Sequence, residues 1–576
     1  MIHRFLLFIA LATGASLPVF GAESGIFGIG FTNVTDTSAR LVFTTRYRMI
    51  ATVSLTGPDG KVINMEAPGF DQIHAVELRD LPAKTYQVTI TAKSDDIMLT
   101  SEPVTLQLER RPPSAHVWPG YTLFGSSITI KDETGYDLLA RSGARMARLE
   151  ISWDYLFPQD RKLNQTYLDK VLREVAEMKK RGIEPLLILD YCVPWAKTET
   201  AKTMTWRRPA FGPPDRLEDW DFYLRTVVTT FRGSTRYYEI WNEPDAGYLA
   251  TGSYIERPDM PAPIGRPPFK DNWAYWLGDR YVPMISQVRQ VMKDLQPDAL
   301  VMNGGWNRDY NGQRGDLLFE RGAAPNLDLY AFHCYAGQPL SFSRWYTAID
   351  GGFRRNIDRI FKKHEVQMPL AITEWGWPAW ADPQPGKGFV SFEDAQKFFI
   401  KSTFYFLSLQ RVEILSQFCV GFGSENREKD PSFFALADRN ADGKETLHPG
   451  FETFHWLSTT FGSKAYRAIR IPATPPGVKA YAIQLRDSGE IYLAAWQDGQ
   501  PDDKGNIAPQ AAREISLSLK GISPGFYQVD MLDMTGKTLT STSLSIPSDN
   551  PFKIAFPEIS STAESGICLA RFSAKR

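Results

Sequence analysis

Between residues 120 and 465 short apolar runs alternate with amphipathic stretches, and the runs number eight. They are Thr122 to Ser127, Met146 to Trp153, Pro185 to Tyr191, Tyr237 to Glu243, Leu300 to Gly304, Leu327 to Tyr335, Pro369 to Glu374 and Ile414 to Gly421. Each has strand length. Between them Asn164 to Arg181, Arg216 to Arg232, Trp273 to Leu295 and Phe392 to Gln410 carry helical periodicity, and His448 to Phe461 follows the last run. Such repetition calls for a parallel sheet with helices outside it, and eight repeats over ~340 residues predict a (β/α)8 TIM barrel. The rival, an open doubly wound sheet, would often carry a Gly-rich turn after its first strand, and none is present.

The flanks read differently. Ala39 to Thr45, Thr52 to Leu55, Ala75 to Leu78 and Tyr86 to Ala92 alternate apolar and polar positions, with a strong hairpin turn at Gly57-Pro58-Asp59-Gly60. Leu81-Pro82-Ala83-Lys84-Thr85-Tyr86 resembles a fibronectin type III segment, one residue shorter, in which Tyr86 would form the tyrosine corner. Arg110 to Pro113 reads as a linker. After residue 470 the chain returns to short strands: Val478 to Leu485, Ile491 to Trp496, Glu514 to Leu519 and Gly525 to Asp530. The expected class is therefore α/β. A fibronectin-III-like sandwich (24–111) precedes a barrel (115–465), and a second β-sandwich (466–576) follows it.

His3-Arg4, a mostly apolar Phe5 to Phe20 and the small pair Gly21-Ala22 read as an export signal over 1–22, which predicts a periplasmic or extracellular protein. Thr13, Gly14, Ser16 and Pro18 interrupt the run too soon for a membrane span, and nothing later is apolar enough. Lys plus Arg (65) balances Asp plus Glu (66), and no basic run is interleaved with aromatics, so a nucleic-acid partner is not expected. The four cysteines (Cys192, Cys334, Cys419, Cys568) lack metal-ligand spacing and read as buried thiols. No sequence feature fixes the oligomeric state.

Barrel enzymes keep their sites at the C-terminal ends of the strands. Glu243 ends the fourth predicted run and Glu374 the seventh, in Trp241-Asn242-Glu243-Pro244 and Thr373-Glu374-Trp375-Gly376. Alternation would put Glu239, Trp241 and Glu243 on one face, and Ile372 with Glu374 on another. Strand six offers His333 and Tyr335; strand two offers Arg148, with Trp153 at its end. Two carboxyls walled by tryptophan are what acid/base and nucleophilic attack on a glycosidic bond require. Each glutamate alone also fits a loop cap or a structural ion pair.

These two motifs resemble clan A of the retaining glycoside hydrolases, and within it most closely family 39 and its bacterial relatives. The resemblance implies a cofactor-free, metal-free hydrolase of β-linked glycans, with Glu243 as general acid/base and Glu374 as nucleophile. It further implies that Asn242 binds the sugar 2-hydroxyl, that Tyr335 and His333 hold the Glu374 network, and that Arg148 keeps the nucleophile ionised. Glu150 shares the strand face of Arg148 and is an alternative partner for it. A transglycosylase, or a catalytically inactive carbohydrate-binding protein on the same scaffold, is the alternative reading.

Sugar platforms are expected among Trp153, Trp195, Trp306, Trp375, Trp377 and Trp380, all at or just past strand ends, with Trp195 and Trp377 foremost. Long loops, Cys192 to Pro214 and Asp245 to Asp271, would shape the cleft; Arg257 and Arg266 in the second hint at an acidic sugar. Asp438 to Gly443 mimics the start of a calcium loop, but Pro449 falls where its bidentate glutamate belongs, so it reads as a turn.

Overall fold

The computed structural model describes residues 25–109, 114–127, 129–196, 213–245, 278–307, 309–335, 342–380, 389–423, 433–439, 443–497, 514–547, 552–555 and 566–575. The expected signal segment, the linker and most of both long loops lie outside these residues, as do positions 440–442 of the calcium-like turn. Two compact units emerge, the N-terminal strands and the remainder of the chain.

The N-terminal unit is an antiparallel sandwich built around one long strand, Ala39–Thr56, that the sequence read as two. Its first half pairs with Ile26–Thr32 and Asp71–Leu78, and its second half with Val62–Glu66 and Thr85–Ser94. A register shift between Thr44 and Met49 lets the strand pass from one sheet to the other. Leu41, Phe43, Val53, Leu55, Val88 and Ile90 close the core between them. The hydroxyl of the buried Tyr86 accepts from the Ala83 amide at 2.8 Å, so the tyrosine corner forms as expected.

In the second unit an eight-stranded parallel sheet forms the barrel. Its strands are Leu123–Ser127, Met146–Ser152, Glu184–Asp190, Tyr237–Ile240, Leu300–Asn303, Tyr330–Tyr335, Leu370–Gly376 and Val412–Gln417. Neighbours pair in chain order, the eighth returns to the first, and parallel bridges Met302 to Leu329 and Trp306 to Phe332 link the fifth to the sixth. Met146, Leu186, Ile188, Tyr237, Leu300, Met302, Ala331, Ala371 and Ile414 fill the interior. Helices such as Gln165–Lys180, Leu217–Phe231, Tyr281–Leu295 and Phe392–Ser408 bury an apolar face against the sheet. Each fully buried Leu or Phe there contributes about 1.5–3 kcal/mol relative to exposure.

The C-terminal strands form a six-stranded antiparallel sheet with a two-stranded partner, Glu514–Leu517 with Phe552–Ala555. This domain packs on the barrel. The Tyr346 and Tyr481 hydroxyls meet at 2.7 Å, as do those of Thr122 and Tyr466 at 2.9 Å. Lys401 lies between the rings of Phe342 and Trp496, 5.2 and 5.7 Å from their centroids. All four cysteines are buried thiols. Among the described residues no helix is long and apolar enough to cross a membrane.

Candidate active site

The interior of the barrel changes from apolar to charged one step above its floor. Two residues beyond Met146 comes Arg148, and two beyond Tyr237 comes Glu239, both buried. A buried cation needs paired carboxylates to offset its desolvation. Arg148 meets that need with Glu239, through Nε at 2.8 Å and Nη2 at 3.1 Å. Its Nη1 donates to Oε1 of Glu374, and Nη2 also donates to Oδ1 of Asn242 at 3.1 Å. Glu239 is further held by the Gly305 amide and the Thr373 hydroxyl, at 2.9 and 3.0 Å. The alternative pairing of Arg148 with Glu150 is not the one that forms.

Simple alternation does not deliver these side chains. Strand four ends at Ile240, and Trp241 (φ 70°) and Glu243 (φ 43°) adopt left-handed backbone. That kink turns Trp241 outward onto Trp220 and Tyr191, while Glu243 reaches into the mouth. On strand seven a bulge sits at Thr373: Ile372 pairs with Phe332, and Glu374 with His333. Thr373 and Glu374 therefore both reach inward, to Glu239 and Arg148. The expected shared faces of Glu239 with Trp241 and of Ile372 with Glu374 are corrected accordingly.

His333 stands between the two glutamates. Its Nδ1 is 2.9 Å from Oε1 of Glu243 and 3.5 Å from Oε2 of Glu374, while Nε2 has no hydrogen-bond partner among the described residues and lies 4.0 Å from Glu239. Tyr335 donates to Oε2 of Glu374 at 2.6 Å. One oxygen from each glutamate and a ring nitrogen of His333 all lie within 4.8 Å of one another. A divalent ion at this point would face the Arg148 guanidinium, so the trio is suited to exchanging protons rather than to ligating a metal.

The electrostatics separate the groups. Burial pushes the Glu374 carboxyl up, but the charges of His333 and Arg148 and the Tyr335 hydrogen bond more than offset it, leaving Glu374 below the ordinary glutamate value. For His333, burial pushes down and the charges of Glu374 and Glu243 push up further, so its ring holds a proton above the ordinary range. Burial first, then the Glu374 charge, drives the Tyr335 hydroxyl well up, keeping it a donor.

The sequence matches the family model described as Cellulase (glycosyl hydrolase family 5) over residues 111–389. Residues 111–389 carry a glycoside hydrolase domain. Among solved structures, a family 39 glycoside hydrolase from the gut symbiont Bacteroides cellulosilyticus WH2 shares its fold. That match has a TM-score of 0.51 at 13% identity and covers 95% of this chain and 100% of the other. An alpha-L-arabinofuranosidase from Thermotoga maritima gives 0.43 at 13% identity, covering 81% and 98% of the two chains. An exo-beta-1,4-mannosidase from Opitutaceae bacterium strain TAV5 gives 0.42 at 13%, covering 61% and 62%. No curated protein matches the sequence.

The tryptophans of this hydrolase correct the expectation most. Trp153, Trp306, Trp375 and Trp377 are buried and offer no face to a sugar. Trp153 stacks on Tyr223 at 5.2 Å, Trp306 sets its edge on Tyr281, and Trp375 and Trp377 pack against Phe399. The cause is the helical layer: aromatics that point outward at strand ends are enclosed between sheet and helix. Trp195 is half-buried, its Nε1 donating to the Phe157 carbonyl at 2.8 Å, and Trp380 is half-buried against Phe433. Those two keep an open surface. Asn307, unremarked in the sequence, donates to Oε2 of Glu243 at 3.1 Å. A polar residue just past a barrel strand, after Gly304-Gly305, was the available signal.

Proposed function

We propose that the chain is an exported, retaining hydrolase of β-linked glycans, with Glu374 as nucleophile and Glu243 as general acid/base. The observation that carries this reading is the pair of carboxyls within 4.8 Å, one of them clamped by Arg148 and Tyr335. Retaining enzymes hold their carboxyls about 5–5.5 Å apart, whereas inverting ones leave about 6.5–9.5 Å for a water.

The roles follow from the surroundings. Glu374 is held ionised, with one oxygen on Arg148 and the other on Tyr335. As it bonds to the anomeric carbon its charge disappears, and the Glu243 proton passes to the leaving oxygen. With Glu374 esterified, Glu243 is a carboxylate that takes a proton from water, and the water opens the glycosyl ester. Asn242, fixed by Arg148 through Oδ1, keeps its amide hydrogens for a sugar hydroxyl. No cofactor enters these steps.

The test is product analysis on a panel of polysaccharides and aryl β-glycosides, with Glu374→Gln beside the wild type. Cleavage by the wild type alone is the expected result. Equal cleavage by both removes Glu374 from the reaction. Glycan binding without turnover by the wild type favours a binding protein instead.

A further inference from the structure

Glu243 is reached by a second chain of contacts, from strand five, that the catalytic reading leaves without a role. That strand ends in Gly304-Gly305-Trp306-Asn307, and both glycines are required by their neighbours. A Cβ on Gly304 would lie 2.4 Å from the Trp241 carbonyl oxygen, and one on Gly305 would lie 2.2 Å from the His333 ring. The chain thus runs against the kink that carries Glu243 and brings Asn307 beside it. The Asn307 amide Nδ2 donates to Oε2 of Glu243 at 3.1 Å.

The backbone of Asn307 is itself held. Its N–H donates to Oδ1 of the buried Asp245 at 2.9 Å, and Oδ2 of Asp245 pairs with Arg314 at 2.6 Å. Arg314 stands at the start of the helix Gln313–Glu320, where Asp309 accepts the backbone amides of Arg314 and Gly315 at 3.0 and 2.8 Å. Glu243 and Asp245 lie two residues apart. Asn307 grips both of them, one through its side chain and the other through its backbone.

We propose that Asn307 is a positioning residue for the general acid/base, with Asp245 and Arg314 as its anchor. The inference rests on the proposed role of Glu243. His333 takes one oxygen of the carboxyl and Asn307 the other, which fixes its plane toward the mouth. As Glu243 gives up its proton, negative charge grows on a group that already has the Asn307 donor in place. A hydrogen bond to a charged acceptor is stronger than one to a neutral acceptor, so this contact favours the transition state over the ground state. Its contribution should scale with how much proton donation the leaving group needs.

The experiment uses the full chain with Asn307→Ala, and Asn307→Asp as a variant of the same shape should the alanine variant misfold. Rates are measured on the phenyl and 2,4-dinitrophenyl β-glycosides of the sugar that the wild type releases. The phenyl substrate needs an acid and the dinitrophenyl substrate hardly does. Expected is a roughly ten- to a hundredfold loss of kcat/KM on the phenyl glycoside and little loss on the other, since a charged hydrogen bond is at stake. Equal losses on both substrates would overturn the inference. A substrate-independent arm follows the Asn307 side-chain amide by 15N NMR, assigned with Asn307→Asp. Its resonance should move when Glu243→Gln replaces the carboxyl it contacts; an unmoved resonance also overturns the inference. Glu243→Ala on the same two substrates tests the catalytic reading separately. If it shows no leaving-group dependence while the amide resonance responds, the role of Glu243 fails and the contact stands.

Discussion

Tyr335 donates its hydroxyl to Oε2 of Glu374 at 2.6 Å, the oxygen that Arg148 leaves untouched. Two donors on two oxygens hold the carboxylate plane and keep it ionised. In Tyr335→Phe the buried ring is kept and one charge-assisted hydrogen bond is lost. We expect kcat/KM to fall roughly ten- to a hundredfold, with the acid limb of the pH profile moving to higher pH. Steady-state rates against pH check both, and an unmoved acid limb would separate Tyr335 from the ionisation of Glu374.

The same cluster links pH to stability. The carboxyl of Glu374 sits below its ordinary 4.5, so its contribution is present above that pH and fades as pH falls through the folded value. His333 is raised above its ordinary 6.5, so its contribution is complete below 6.5 and is lost as pH rises through the folded value. The Tm difference between wild type and His333→Gln should therefore shrink as pH is raised above 6.5. Calorimetry across that range is the measurement, and a difference that grew with pH would reverse the assignment.

Asp190 ends the third barrel strand, fully buried, with neither carboxyl oxygen hydrogen-bonded among the described residues. Burial, then the nearby Glu150 charge, pushes its carboxyl well above the ordinary 3.8. An acid raised in the folded state penalises folding at higher pH and not below its unfolded value. Asp190→Asn is isosteric and uncharged, so it should raise Tm by roughly 2 °C at neutral pH. The gain should vanish near pH 3.8, and a loss confined to higher pH would show a role for the charge.

Much of this was legible in the chain, for stated reasons. Strands and helices announce themselves by period, and the eight runs found in the sequence are the eight barrel strands within a few residues. Glu243, Glu374, His333, Tyr335 and Arg148 were recognisable because charged and polar residues at strand ends are costly anywhere but a site. What was not legible depends on backbone geometry. The positive φ of Trp241 and Glu243, and the bulge at Thr373, reverse which way side chains face. Arg148 reaches Glu239 from two strands away because the barrel curves, whereas Glu150 is its neighbour in sequence. For the tryptophans, exposure is decided by the helices packed over them, and composition carries no trace of that.

Double displacement through Glu374 fixes the stereochemistry of the product. The most direct measurement is 1H NMR of the anomeric proton in the first product released from a β-glycan that the enzyme cleaves, recorded before mutarotation. Double displacement predicts the β-anomer first, with the α-anomer appearing only as the sugar equilibrates. The α-anomer as the initial product would mean single displacement by water and would contradict it.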